Sequence, residues 1–102
     1  MALKVLIIGG VAAGPKTAAR LRRLDPDAEI TVVERQDLLS YAGCGMPYYI
    51  EDIIKEYKEL LGGETIRNAE YFRDQKGFTV YDQTEALQID RKAKKVTVKD
   101  LR

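Results

Sequence analysis

The first third of the sequence constrains the fold more than any other stretch. Lys4–Ile8 is a short apolar run with β-branched residues, typical of a buried strand, and it ends at a glycine-rich turn. Residues 13–24 then show helical apolar spacing, residues 25–27 (Asp-Pro-Asp) end that helix, and residues 30–33 form a second apolar strand. This pattern predicts a right-handed βαβ unit that is covered on both faces. The inner side of its helix is predicted from the spacing to consist of Thr17, Ala18, Leu21 and Leu24.

The glycine turn predicts a site for the pyrophosphate of a nucleotide. Gly9 permits a sharp turn, and Gly14 has no side chain to keep the helix away from the strand. The N–H groups of the first helical turn then point at an anion, and Pro15 fits there because its missing N–H costs little. The fingerprint G-x-G-x-x-G has Val11 at its second glycine, so Gly10 or the backbone of Val11 must give the phosphates room. An ordinary α/β unit with a glycine turn is the alternative interpretation.

An acidic residue directly follows the second strand. Glu34 lies twenty residues after Gly14, where a carboxylate can accept hydrogen bonds from both ribose hydroxyls of an adenosine. The same carboxylate repels a 2′-phosphate, because the charges are alike. The sequence therefore predicts a nucleotide with a free 2′-hydroxyl.

Composition excludes several classes of protein. The length of 102 residues allows one domain at most, and 17 basic against 16 acidic side chains give no reason to expect nucleic acid as a partner. We expect neither a membrane span nor a signal peptide, because the first apolar run is only a short strand. With one cysteine and no histidine, we expect no internal disulfide, a reducing cytoplasmic setting and no metal site.

The second half of the chain predicts one further helix and three strands. Asn68 is a good N-cap for a helix over residues 69–75 with Tyr71 and Phe72 inward, and Lys76-Gly77 ends it. Phe78 to Tyr81 predicts a third parallel strand, and residues 84–90 and 95–99 predict a hairpin with a turn at 91–94. A shorter helix is expected to start near Pro47. The predicted fold class is α/β, a Rossmann-like unit of three parallel strands plus a β-hairpin, which is incomplete beside the usual five strands.

Cys44 is the candidate for redox chemistry. It lies between two glycines near a predicted helix start, a position that exposes a thiol and favours its thiolate form. A buried, inert cysteine is the alternative. Positions 39 and 49 are Leu39 and Tyr49, so Cys44 has no cysteine partner five residues away on either side. A disulfide at Cys44 would therefore join another molecule, or the thiolate would be oxidised to a sulfenic acid.

Three basic residues recur along the first helix. Lys16, Arg20 and Arg23 are spaced i, i+4, i+7 and form a stripe that we predict to lie opposite the apolar side. Such a stripe suits a phosphorylated ligand. A solvated helix face explains the same spacing equally well.

Three stretches together resemble a known family. The sequence VLIIGGVAAG, then VVER, and above all SYAGCGMPYYI around Cys44, are similar to the start of the single-cysteine, FAD-dependent pyridine nucleotide-disulfide oxidoreductases. That group includes coenzyme A-disulfide reductases, NADH oxidases and peroxidases, and NADH-dependent persulfide reductases. The resemblance runs over essentially the whole chain. Family members are several times longer, with an NAD domain and a dimerisation domain, so residues 1–102 are expected to be the N-terminal half of an FAD domain.

The resemblance implies an activity and a set of site residues. NAD(P)H would reduce FAD, and the flavin would pass electrons to Cys44 and on to a disulfide, a persulfide or coenzyme A disulfide in a full-length homodimer. FAD would be held by Gly9, Gly10, Ala12, Ala13, Gly14, Glu34 and Arg35. A coenzyme A-like substrate would contact Lys16, Arg20, Arg23, Ser40, Gly43 and Lys76. Several coenzyme A reductases carry asparagine where this chain has Gly43, which leaves polysulfide or peroxide substrates open. An NADH oxidase or peroxidase and a non-catalytic nucleotide-binding module are the alternatives.

Overall fold

A three-stranded parallel sheet forms the centre of the chain. The computed structural model describes residues 3–37, 39–40, 50–51 and 68–102. The strands β1 (Lys4–Ile8), β2 (Glu29–Val33) and β3 (Thr79–Tyr81) lie in the order β1-β2-β3. Their register places Ile7 beside Val32 and Val32 beside Val80. The predicted third parallel strand is confirmed, and its neighbour is β2. Phe78 precedes this strand instead of belonging to it.

Helix α1 (Ala13–Leu24) connects β1 to β2 and has the predicted bounds. It buries Pro15 and Ala18 against the sheet, whereas Thr17 is exposed and Leu24 is 67% exposed. The prediction that Thr17 and Leu24 lie on the inner side is therefore wrong. The small residues Gly14 and Ala18 allow the closest approach of the helix to the strands, so the buried side is centred on them, about 100° around the axis from Thr17.

Arg22, near the C-terminal end of α1, forms hydrogen bonds with the turns that precede β2 and β3. Its Nε donates to the Gly77 carbonyl oxygen (2.8 Å), and its Nη1 donates to the Pro26 carbonyl oxygen (2.7 Å). The Asp25 carboxylate accepts from the Asp27 N–H (3.1 Å) and shapes the turn that leads to β2. One guanidinium thus links the turn before β2 to the turn before β3.

The second helical segment changes type along its length. Helix α2 (Ala69–Tyr71) begins at Asn68, whose side chain accepts from the Tyr71 N–H (2.9 Å), which confirms the predicted N-cap. A π-helical turn (Phe72–Lys76) follows, so the prediction of one α-helix over residues 69–75 is wrong in its second half. Gly77, with φ of 74°, ends it, and its N–H returns to the Phe72 carbonyl five residues back. This wider turn allows the Phe72 ring to stack on Phe78, with ring centroids 5.0 Å apart.

The hydrophobic core lies on one face of the sheet. Its buried members in the described part of the chain are Ala18, Ala28, Ile30, Val32, Leu39, Phe72, Phe78 and Val80. On the opposite face Leu6, Ile8 and Tyr81 are 39%, 51% and 52% exposed, although Val33 is buried. The prediction that both faces are covered is therefore wrong for the second face. The described helices α1 and α2 both pack on the first face, so they leave these side chains uncovered.

An antiparallel hairpin follows the sheet. Strands β4 (Thr84–Asp90) and β5 (Lys95–Asp100) pair as predicted, with a β-bulge between Ala86 and Gln88. The hairpin starts at the carboxyl edge of the parallel sheet, because the Thr84 N–H donates to the Glu34 carbonyl oxygen (2.9 Å). None of the described helices is long and apolar enough to cross a membrane.

Candidate nucleotide-binding site

The turn from β1 to α1 is built around two glycines. Gly9 has φ of 112°, a conformation that side chains disfavour, and its N–H donates to the Val33 carbonyl oxygen (2.8 Å). A Cβ on Gly14 would collide with the Gly9 carbonyl oxygen and would lie 3.4 Å from Ile7 Cγ2. Glycine at position 14 therefore lets the first turn of α1 pack directly on the end of β1, as the sequence predicted.

The N-terminus of α1 offers backbone donors that no side chain of the helix caps. The N-cap residue, Ala12, makes no side-chain hydrogen bond, and the first turn contains no acidic residue. Ala12 and Ala13 are exposed. The first N–H groups of a helix have no partner within the helix, and the helix dipole adds a partial positive charge there. This end of α1 therefore has the electrostatic character of an anion-binding site.

Glu34 lies beside this turn at the end of β2. Its side chain is largely buried, since the residue is 8% exposed. Oε1 accepts from the Gly10 N–H (2.8 Å) and Oε2 accepts from the Gln36 N–H (2.7 Å). The carboxylate is thus held by two backbone amides at the carboxyl edge of the sheet, next to the glycine turn.

Gly10 is packed closely between neighbouring side chains. A Cβ at this position would lie 3.0 Å from Glu34 Cβ and 3.0 Å from Leu39 Cδ2. The Gly10 carbonyl oxygen accepts from the Ser40 N–H (2.8 Å). Glycine at position 10 therefore allows Glu34 and Leu39 to pack against the turn. This packing accounts for the glycine whether or not a phosphate binds there.

A recess of about 220 Å³ opens where β1 and β2 end. Glu34 and Arg35 lie on one side of it, and the start of β4 lies on the other. The lining residues are Ile8, Gly9, Val33, Glu34, Arg35, Thr84, Glu85 and Ala86. Sequence reasoning missed the three residues of β4. The available signal was topological, because the chain that leaves β3 must depart from the same carboxyl edge as Glu34.

The basic stripe is present on α1 but borders apolar side chains. Lys16, Arg20 and Arg23 are exposed, and together with Thr17, Leu21 and Leu24 they line one shallow groove. The prediction that the stripe lies opposite these three residues is therefore wrong. The cause is helix geometry, because each basic residue directly precedes one of these three residues in the sequence and therefore lies only about 100° from it around the axis.

Those residues assigned to the substrate by the resemblance that the structure describes do not form one cluster. Ser40 lies beside the glycine turn at the carboxyl edge of the sheet. Lys76 is exposed and lies on the amino-terminal side of β3, next to the Gly77 carbonyl that Arg22 holds. Gly43 and Cys44 lie outside the described residues, as does most of the helix predicted from Pro47. No group of three or more acidic, cysteine or histidine side chains that could hold a metal occurs in the described ranges.

A family model places this chain among known proteins. Residues 3–102 match the model described as pyridine nucleotide-disulphide oxidoreductase. The chain belongs to this family. FAD binding is characteristic of the pyridine nucleotide-disulphide oxidoreductases, and the resemblance noted in the sequence is confirmed.

Relatives in the family carry several names. The coenzyme A disulfide reductase of Staphylococcus haemolyticus is 38% identical over 95 residues, which is 93% of this chain and 21% of the relative. The reduced CoADR-RHD of Bacillus anthracis superposes with a TM-score of 0.88 at 36% identity, over 99% of this chain and 17% of that one. The NAD-dependent persulfide reductase of A. fulgidus superposes with a TM-score of 0.86 at 44% identity, over 94% of this chain and 17% of that one. The water-forming NADH oxidase of Lactobacillus brevis, bound to NADH, superposes with a TM-score of 0.85 at 31% identity, over 98% of this chain and 21% of that one. This chain spans about a fifth of the length of these proteins.

Proposed function

We propose that this chain provides the adenosine diphosphate half of the FAD site of an NAD(P)H-dependent oxidoreductase. The observation that carries the proposal is the position of Glu34, held at the carboxyl edge of the sheet beside the exposed N-terminus of α1. A pyrophosphate and a ribose are adjacent groups in FAD, and these two features are adjacent in the fold. The N-terminal half of an FAD domain is the corresponding domain assignment.

The described residues fit the adenosine diphosphate part of FAD. Gly9 and Gly14 leave the turn without side chains that would block the phosphates, and the N–H groups at Ala12 and Ala13 supply donors. Each Glu34 oxygen accepts one backbone N–H and keeps a second lone pair for a ribose hydroxyl. The recess beside Glu34 and Arg35, which is bordered by residues 84–86, receives the adenine. Gly10 donates to Glu34, so it contributes to the site through that carboxylate.

The reaction that we propose reduces a disulfide, a persulfide or a related sulfur species. Bound FAD supplies two-electron transfer from NAD(P)H, and the net reaction converts a disulfide, NAD(P)H and a proton into two thiols and NAD(P)⁺. Cys44 is the proposed redox cysteine: its thiolate attacks the substrate disulfide, which releases one substrate thiol and leaves the other in a mixed disulfide with Cys44. The relatives named coenzyme A disulfide reductase and persulfide reductase support this class of substrate. The full-length enzyme is proposed to be a homodimer. It is proposed to lie in the cytoplasm, where reducing conditions keep a single thiol reduced.

The second candidate function is an NADH oxidase or peroxidase that cycles Cys44 through a sulfenic acid. The relative named water-forming NADH oxidase favours it, at 31% identity. The two functions differ in their electron acceptor, so the rate of NADH oxidation with oxygen or peroxide, compared with a disulfide or persulfide, distinguishes them.

Ligand competition tests the nucleotide site directly. FAD and ADP share the adenosine diphosphate group, whereas FMN lacks it, so ADP is expected to displace FAD from the chain and FMN is not. A 2′-phosphate on the ADP is expected to weaken binding by at least about tenfold, because it approaches the Glu34 carboxylate. Equal binding of FMN and FAD, measured by flavin fluorescence, contradicts the assignment.

Turnover tests the redox role of Cys44. In the whole gene product, Cys44→Ser is expected to abolish disulfide-dependent NAD(P)H oxidation while the protein retains bound flavin. A serine variant that turns over at the wild-type rate removes Cys44 from the mechanism. Thr97→Ala is the control, because it removes a hydroxyl from an exposed position on β5 and leaves the thiol in place.

A further inference from the structure

Glu34 makes contacts that a ribose acceptor alone does not require. Its two oxygens hold the Gly10 and Gln36 amides at 2.8 and 2.7 Å, and the side chain is largely buried. The Gly10 carbonyl on the other side accepts from the Ser40 N–H (2.8 Å). Gly10 is therefore held at both its N–H and its carbonyl by other parts of the chain.

We propose that Glu34 is also a positioning residue, which fixes the glycine turn in the conformation that receives pyrophosphate. The Gly10 N–H points to Oε1 of Glu34, so it is engaged and is not free to bind a phosphate oxygen. Fixing this N–H orients the backbone that leads into residues 11–14, where the first N–H groups of α1 have no partner within the helix. The inference rests on the proposed function, because it assumes that the turn binds a pyrophosphate.

The positioning role can be distinguished from a purely electrostatic one by the direction in which pyrophosphate affinity changes when Glu34 is removed. A buried carboxylate beside an anion site repels a pyrophosphate, since both charges are negative. If Glu34 acted only through its charge or only on the ribose, its removal would leave pyrophosphate binding unchanged or stronger. If Glu34 positions the turn, its removal weakens pyrophosphate binding although a repulsive charge has been lost.

Amide hydrogen exchange on the nucleotide-free chain tests the positioning role by itself. Glu34→Leu keeps a side chain of similar size but removes both acceptors, so the Gly10 amide is expected to exchange about tenfold faster or more. The Gly9 amide, which donates to the Val33 carbonyl, is the internal reference and keeps its protection. Glu29→Gln is the matched control, because it removes the same charge from an exposed position at the start of β2, the strand that Glu34 follows.

A second variant covers the case in which Glu34→Leu does not fold. Glu34→Gln has one carbonyl oxygen in place of two carboxylate oxygens, so either the Gly10 or the Gln36 amide loses its acceptor and exchanges faster. Wild-type protection of both amides in this variant overturns the proposal, as does unchanged exchange at Gly10 in a folded Glu34→Leu.

Calorimetric titration with inorganic pyrophosphate supplies the functional readout. Both Glu34 variants are expected to bind it about tenfold more weakly than the wild type and the Glu29→Gln control. Equal or tighter binding by the variants overturns the positioning role. A wild-type chain that binds neither pyrophosphate nor ADP contradicts the proposed function instead, and the exchange experiment still decides the role of Glu34 in the turn.

Discussion

Gly14→Ala is the substitution that most directly tests the geometry of the glycine turn. Alanine is favoured over glycine in a helix by up to about 1 kcal/mol, so helix propensity alone predicts a small stabilisation. The added Cβ, however, collides with the Gly9 carbonyl oxygen and lies 2.9 Å from the Gly9 carbonyl carbon. Both are backbone atoms, so no side chain can rotate away and α1 must move off the end of β1. Such overpacking costs about 1–3 kcal/mol, and we expect the upper end here.

The net expectation is a loss of about 2 kcal/mol in the free energy of unfolding, which lowers the urea midpoint by roughly 1–2 M. The same movement displaces the first N–H groups of α1, so the affinity for ADP is expected to fall as well. Gly77→Ala is the matched control. It also adds a methyl group, and it costs about 1–2 kcal/mol because φ is positive there, but it lies away from the turn.

The two glycine variants should therefore destabilise the chain to a similar degree and differ in nucleotide binding. Urea unfolding and ADP titration on both variants measure the two effects separately. A Gly14→Ala chain that is as stable as the wild type and binds ADP equally well would refute the packing argument. Equal loss of ADP affinity in both variants would show that the effect follows global stability instead of the turn.

The remaining predictions concern the supports of the fold and the activity of the isolated chain. Arg22→Ala is expected to cost about 1–2 kcal/mol of unfolding free energy, because two carbonyls lose a charged donor, whereas the exposed Arg23→Ala should stay within about 0.5 kcal/mol; equal urea midpoints would contradict this. Asn68→Ala should cost about 1 kcal/mol and Asn68→Asp much less, since aspartate also caps a helix; thermal unfolding compares them, and equal losses would exclude the cap. The 102-residue chain alone is expected to bind FAD weakly and to show no NADH oxidation in a spectrophotometric assay, so measurable turnover would contradict the proposed division of the enzyme.

The strands, the glycine turn after β1 and the position of Glu34 at the end of β2 were predictable from the sequence, because each depends on local chemistry. Gly9 requires a positive φ, Asn68 supplies a cap, and Gly77 ends a helix in the left-handed conformation. The hairpin followed from alternation and from a polar four-residue turn. Each of these signals depends on a few adjacent residues, so it can be recognised in the sequence without knowledge of the tertiary structure.

The burial of particular faces was not predictable in the same way. Thr17 and Leu24 fit an apolar stripe at helical spacing, but the sheet selects the side of α1 that allows closest approach, and Ala18 occupies it. The π-helical turn occurs together with the stacking of Phe72 on Phe78, a side-chain contact that no helix propensity encodes. The recess beside Glu34 includes residues of β4 that lie 50 to 52 positions further along the chain. Such features require the relative placement of elements.

The exposed face of the sheet connects these observations. The continuous apolar pattern of Lys4–Ile8 is typical of a strand that is buried on both faces, yet Leu6 and Ile8 are exposed and β1 lies at the edge of the described sheet. The relatives that this chain resembles contain about four-fifths of their length beyond the matched region. A strand pattern reflects the burial of the whole domain in which it occurs, and the proposed assignment of residues 1–102 to half of an FAD domain would account for the apolar residues of β1. The glycine turn depends less on the rest of the domain, because the Gly9 N–H, the close approach at Gly14 and the two carboxylate oxygens of Glu34 all find their partners within residues 7–36.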